Sequence, residues 1–124
     1  MVENPISNKI IGAAIRVHKE LGPGLLESAY ENCLAYILLE QGLHVEKQKP
    51  LPLVFQGVKL EAGFRLDLLV DQKVVVEIKS VDAVADIHVA QILTYLKLSG
   101  CRLGLIINFN TIFLKDGIRR IING

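Results

Sequence analysis

Two short apolar runs constrain the fold of this chain more than any other feature. Phe64–Val70 and Val74–Lys79 are rich in Val, Leu and Ile, and Asp71-Gln72-Lys73 separates them in the manner of a turn. Both runs are typical of buried β-strands. Each nevertheless contains charged residues, which a purely structural strand avoids because burying a charge is costly.

Of the four charged residues in these runs, Asp67, Glu77 and Lys79 form the candidate cluster, and the fourth is Arg65. Side chains alternate faces along a strand, so Glu77 and Lys79 share one face and Asp67 can join them across a hairpin. Two acids and a lysine at the edge of an apolar sheet suit a divalent metal and a phosphate better than a core. The alternative is a buried ion pair at a strand end, which costs several kcal/mol of desolvation for each group unless well compensated. Clustered ionisable groups tend to mark functional sites.

Length and composition are those of one small domain spanning residues 1–124. A chain of 124 residues buries roughly 60% of its unfolded surface, which is enough for a hydrophobic core. Hydrophobic residues make up 51% and charged residues 22%, which excludes a disordered or fibrous chain. The net charge of +1 argues against a strongly basic nucleic-acid-binding surface but leaves room for a local basic groove.

The cysteines and the apolar segments indicate the compartment. Cys33 and Cys101 lie in apolar periodic segments, as small core residues of a reducing compartment do, and their spacing does not suit zinc. No segment reaches the length of a membrane span, and the N-terminal residues MVENPISNK lack the apolar region of a signal peptide. We therefore expect a soluble cytoplasmic protein.

Periodicity and turn signals predict an α/β fold. The predicted helices are Ile6–Leu21, Leu26–Gln41 and Ala83–Leu98, and the inner side of the second carries Ala29, Cys33, Ile37 and Leu38. The predicted strands are Val45–Gln48, Leu51–Phe55, Val58–Ala62, Phe64–Val70, Val74–Lys79 and Arg102–Phe109, and Phe113–Lys115 with Ile118–Ile122 suggests a terminal hairpin. The crossover through the third helix predicts a parallel strand pair, hence a mixed sheet flanked by helices.

Further polar residues can join the acidic strands. Gln91 and Tyr95 lie four residues apart on one face of the third predicted helix, which begins soon after Lys79. The alternative for this pair is a solvated helix face. Glu27 opens the second predicted helix, where the helix dipole alone favours an acid.

These residues together resemble a known family. Gly24–Tyr30 fits the signature of the GxxExxY proteins, a family placed in the PD-(D/E)XK nuclease superfamily. The likeness continues over most of the chain, through Gly63–Asp67, Val76–Ser80, Gln91–Tyr95, Ile107–Phe109 and Lys115–Ile121. It implies a restriction-endonuclease-like core, and it resembles the exonuclease-like branch of that superfamily, in which a Gln and a Tyr on a helix also follow the catalytic strands.

The resemblance implies a role for each candidate residue in a metal-dependent nuclease. Asp67, Glu77 and the backbone carbonyl of Ile78 would hold Mg²⁺ or Mn²⁺, and Glu27 would support the metal directly or through water. Lys79 would orient the attacking water and offset charge on the phosphorane. Gln91 and Tyr95 would position the phosphate backbone of the substrate. The catalytic set is therefore Glu27, Asp67, Glu77 and Lys79.

The expected substrate is nucleic acid, DNA rather than RNA, and no membrane is implied. Lysines and arginines are scattered along the chain, and nothing resembles a recognition helix or a stacking platform, so sequence-specific cutting is unsupported. A homodimer or a protein partner that delivers the substrate is the expected assembly. Two alternatives to an enzyme stay open: a non-catalytic nucleic-acid-binding module, and a structural subunit that retains the nuclease fold.

Overall fold

Three helices and one five-stranded sheet make up the fold. The computed structural model describes residues 1–124 apart from the side chain of Ala62. The helices are α1 (Asn4–Leu21), α2 (Glu27–Glu40) and α3 (Asp86–Ser99). The strands are β1 (Val45–Phe55), β2 (Val58–Val70), β3 (Val74–Lys79), β4 (Leu103–Asn108) and β5 (Ile118–Ile122), with a 3-10 turn at Leu114–Gly117.

The strands lie in the order β1-β2-β3-β4-β5. The pair β3 and β4 is parallel and joined by α3, whereas the other neighbouring pairs are antiparallel. The predicted mixed sheet with a central parallel pair, flanked by helices, is confirmed. The carboxyl ends of β3 and β4 therefore lie side by side, with Lys79 opposite Asn108.

Helices cover both faces of the sheet and divide the core in two. The larger apolar cluster joins α1 and α2 to one face, through residues such as Ala14, Leu34 and Leu68. The smaller cluster joins α3 to the other face and includes Ile92 and Tyr95. Strands buried on both faces read as unbroken apolar runs, which explains the composition of β3 and β4. No helix of the described chain combines the length and apolar character that crossing a bilayer requires.

Gly104 allows α3 to pack closely on β4. A Cβ atom at this position would lie 2.7 Å from Cδ1 of Ile92, a residue only 1% exposed. We therefore expect Gly104→Ala to lower the free energy of unfolding by about 1–3 kcal/mol through overpacking. Gly12→Ala is the control, because a Cβ there meets no atom within 4 Å and alanine is favoured in a helix. Chemical denaturation of both variants measures the difference, and equal stability would contradict the close packing of α3.

The structure corrects two predictions about the strands. The terminal hairpin is wrong, because Ile118–Ile122 pairs with β4 and the preceding residues form the 3-10 turn. The four short strands predicted between residues 45 and 70 are two long ones. Strand β1 accommodates Pro50 and Pro52 because it is an edge strand, and its register shifts between Leu51 and Leu53.

The inner face of α2 also differs from the prediction. The buried residues of α2 are Tyr30, Glu31, Leu34, Ala35 and Leu38. Of the predicted set only Leu38 is among them, whereas Cys33 and Ile37 are partly buried and pack at the edge of the core. The helix is turned because the Tyr30 ring stacks on Phe109 at a centroid distance of 4.3 Å. This rotation carries Glu31 to the interior, next to the sheet.

Candidate functional site

Asp67 and Glu77 meet where strands β2 and β3 separate. The last paired residues of the two strands are Leu68 and Val76, which places Asp67 opposite Glu77 one step further on. At this position the two carboxylates accept hydrogen bonds from backbone N–H groups, in place of hydrogen bonds between the two strands. The Asp67 N–H donates to Oε2 of Glu77 at 3.0 Å, and the Ile78 N–H donates to Oδ2 of Asp67 at 2.8 Å. The two acids are thus held close together, each by the other strand.

Burial makes this pair electrostatically unfavourable. Glu77 is 6% exposed, and burial together with the neighbouring Asp67 charge raises its pKa to about 8. Burial also raises the pKa of the Asp67 carboxyl. Burial therefore disfavours the charged form of both acids, and of the two Glu77 is the one whose pKa lies above neutral pH.

Lys79 lies two residues beyond Glu77 and is half-buried. Its positive charge opposes the rise in pKa of both Asp67 and Glu77 without reversing it. None of the ion pairs among the described residues includes Lys79. The cluster is therefore not the closed ion pair that was the alternative interpretation of the sequence.

Glu27 reaches the end of β3 from the start of α2. Its Oε2 accepts the Ser80 N–H at 3.1 Å, one residue after Lys79, and the Ser80 hydroxyl donates to the Leu25 carbonyl at 2.7 Å. The loop before Glu27 is fixed by Tyr30, whose hydroxyl donates to the Gly22 carbonyl at 2.6 Å and accepts the Leu25 N–H at 3.0 Å.

The Gly24–Tyr30 signature thus has a structural basis. Gly24 has a φ of +93°, which side-chain-bearing residues rarely adopt. Tyr30 anchors the loop to the core through its ring and its hydroxyl. The loop and its anchor together place Glu27 beside the carboxyl end of β3.

The two helix-borne candidates differ in their surroundings. Tyr95 is 7% exposed, and its ring lies 6.0 Å from that of Phe64. Burial raises the pKa of Tyr95, and the charges of Glu77 and Asp67 raise it further. Gln91 is exposed on the preceding turn of α3. The structure therefore brings Asp67, Glu77, Lys79 and Tyr95 together, places Glu27 at the adjoining loop, and leaves Gln91 in solvent.

Two residues at the site, Glu31 and Gln48, were not predicted from the sequence. Glu31 is 8% exposed, and burial raises its pKa. Gln48 lies opposite Asp67 in the β1–β2 register and contacts both Glu31 and Asp67. Glu31 carries a detectable signal, since it follows Glu27 by one helical turn and like charges at that spacing destabilise a helix. Gln48, between two lysines, carries none.

The donor chemistry of the site fits a hard divalent cation. Carboxylates are oxygen ligands, and burial raises the pKa values of both, so a bound cation would stabilise their charged forms. Among the described side chains no three His, Cys, Asp or Glu groups are arranged as a ready metal cage. Mg²⁺ does not need such a cage, because it is typically held by one or two carboxylates with waters and substrate phosphate. A groove of about 630 Å³ lies between α1 and α2, but its lining includes neither Asp67 nor Glu77. The candidate site is therefore identified by its charged residues and not by this groove.

The chain matches the family model described as the PD-(D/E)XK nuclease superfamily over residues 4–121. It therefore belongs to that superfamily, whose members typically use divalent metals and act on nucleic acid. No curated protein and no solved structure matches the chain.

Proposed function

We propose that this chain is a metal-dependent nuclease of the GxxExxY type that hydrolyses phosphodiester bonds of DNA. The observation that supports it most is the pair of acids between β2 and β3. Glu77 is buried, its pKa is raised to about 8, and no ion pair of the described residues neutralises it. A buried pair of acids with no compensating positive charge destabilises a fold, and such pairs cluster at functional sites, where a bound cation compensates them.

Asp67 and Glu77 would hold Mg²⁺ or Mn²⁺, with the Ile78 carbonyl as a further oxygen ligand. When bound, a divalent cation polarises the phosphate and lowers the pKa of water. The hydrogen bonds from the Asp67 and Ile78 N–H groups keep both carboxylates oriented before any metal arrives. Glu27 would support the metal directly or through water, since the Ser80 N–H holds its carboxylate at the end of β3.

Lys79 would stabilise the negative charge that develops on the phosphate as water attacks. Its ammonium group is suited to this role because it forms no ion pair with the described acids. Tyr95, buried at the face of α3 near the acids, would position the substrate backbone. Gln91 is exposed on the same helix and would contact the nucleic-acid substrate at a position further from the bond that is cut.

Cleavage of three substrates tests the activity. Circular single-stranded DNA, linear duplex DNA and RNA are each incubated with the protein and Mg²⁺, Mn²⁺ or EDTA. We expect metal-dependent cleavage of DNA, and loss of circular molecules distinguishes an endonuclease from an exonuclease. If no substrate is cut although Mn²⁺ binds, the non-catalytic binding module becomes the better assignment.

Thermal unfolding with metal tests the site independently of any substrate. We expect Mn²⁺ at about 100 times its dissociation constant to stabilise the protein by about 2.7 kcal/mol, since it binds only the folded state. Asp67→Asn should remove this stabilisation. Glu61→Gln should retain it, because Glu61 is an exposed acid in the outer part of β2. Equal stabilisation of both variants would place the metal elsewhere.

A further inference from the structure

The side chain of Gln48 connects two acids of the candidate site. Its Nε2 donates to Oε1 of Glu31 at 2.7 Å and lies 3.4 Å from Oδ1 of Asp67. Asp67 accepts the Ile78 N–H with its other oxygen. Both oxygens of the Asp67 carboxylate therefore have a hydrogen-bond donor, one from β3 and one from β1.

The backbone of Gln48 is unusual for a strand. Its φ is +50°, in the left-handed region, although it lies within β1 and is not a glycine. Such conformations cost free energy and persist where the surrounding structure imposes them, often at functional sites. The Gln48 side chain is largely exposed, so burial of apolar surface does not explain the strain. Its amide group instead contacts the two acids.

Glu31 supplies the fixed end of this arrangement. It is 8% exposed on the inner face of α2, and its position follows from the packing of that helix. A neighbouring contact joins the same two elements, because Nζ of Lys47 donates to Oδ1 of Asn32 at 2.5 Å. Strand β1 is thus tied to α2 at two adjacent positions, which holds the Gln48 amide in place.

We propose that Gln48, anchored by Glu31, is a positioning residue that fixes the Asp67 carboxylate for a divalent cation. Carboxylates that ligate metals are commonly oriented by hydrogen bonds from a second layer of residues, and loss of such a bond typically weakens metal affinity about 10- to 100-fold. This inference rests on the proposed metal site. The competing explanation is that Gln48 only crosslinks β1 and α2, which would affect stability and leave metal affinity unchanged.

Two other glutamines of the chain serve as controls for substitutions of Gln48. Gln56 and Gln72 are also glutamines with left-handed backbones, at φ values of +52° and +55°, and both are exposed in turns between strands. Replacement by glycine relieves backbone strain at all three positions. Only at position 48 does it also remove an amide that contacts the acids.

The measurement is the dissociation constant of Mn²⁺ for each variant, from the electron paramagnetic resonance signal of free Mn²⁺, at a temperature where circular dichroism shows each variant folded. We expect Gln48→Gly to weaken binding about tenfold, and Gln56→Gly and Gln72→Gly to change it less than about twofold. Gln48→Asn, which tolerates the left-handed backbone but is too short to reach both acids, should behave like Gln48→Gly.

A double-mutant cycle of Glu31 and Gln48 tests whether Glu31 acts through Gln48. If Glu31 acts through Gln48, the variant that combines Glu31→Ala with Gln48→Gly should bind Mn²⁺ more tightly than the product of the two single effects predicts. Unchanged affinity in Gln48→Gly, with normal binding to the unaltered protein, would overturn the positioning role and leave the proposed metal site standing. Absence of Mn²⁺ binding to the unaltered protein would overturn both.

Discussion

Lys79→Ala is expected to reduce metal-dependent cleavage by at least about 100-fold while the protein still binds Mn²⁺. The two effects separate because Lys79 is not a ligand in the proposed site. Its positive charge also opposes a cation beside Asp67 and Glu77, since it lowers their pKa values against the effect of burial. Removing it leaves a more negative site, so Mn²⁺ should bind with equal or higher affinity. Single-turnover cleavage and Mn²⁺ titration of the same preparation measure both quantities.

Lys73→Ala is the matched control for this variant. Lys73 is exposed in the turn just before β3, at the opposite end of the strand that carries Lys79. Both variants lose one positive charge, so a general effect of charge on nucleic-acid binding would appear in both. Equal cleavage by Lys79→Ala and the unaltered protein would indicate a contaminating nuclease or a different catalytic residue. Loss of Mn²⁺ binding together with activity would show that Lys79 supports the site structurally.

The placement of the acids of the candidate site could be predicted from the sequence, because local rules determine it. Two apolar runs with a short turn between them define a hairpin, and alternation along a strand places Asp67, Glu77 and Lys79 at one edge. The position of Asp67 opposite Glu77 follows from the turn alone. The parallel pairing of β3 and β4 followed from the helix between them, because such a connection requires a crossover.

The supporting residues could not be predicted, because they depend on contacts between distant elements. The buried face of α2 is set by the stacking of Tyr30 on Phe109, and helical periodicity in α2 did not reveal it. Gln48 contacts Asp67 from a left-handed backbone within a strand, in a register that places it opposite Asp67. Neither feature leaves a trace in residue type, since glutamine between two lysines is typical of an exposed edge strand.

Glu77→Gln is expected to stabilise the metal-free protein at pH 8 and to have little effect at pH 5. Burial and the Asp67 charge raise the pKa of Glu77 from 4.5 to about 8. An acid whose pKa is higher in the folded state destabilises that state as it ionises, so the unaltered protein should lose stability as the pH rises from about 4.5 to about 8. Glutamine keeps the size of the side chain and an oxygen to accept the Asp67 N–H, but carries no charge. The gain at pH 8 should be on the order of 4 kcal/mol.

Metal should reverse this order of stability. The unaltered protein gains stability from Mn²⁺ at pH 8, where a cation replaces the proton on the acids, whereas Glu77→Gln has lost a proposed ligand and should gain little. Unfolding in EDTA and in Mn²⁺ at pH 5, 6.5 and 8 measures the effect, with Glu61→Gln as an exposed-acid control. The opposite result, Glu77→Gln less stable than the unaltered protein in EDTA at pH 8, would mean that the Glu77 charge is already compensated within the fold. The acids would then serve structure, and the subunit of a larger assembly would replace the nuclease as the better assignment.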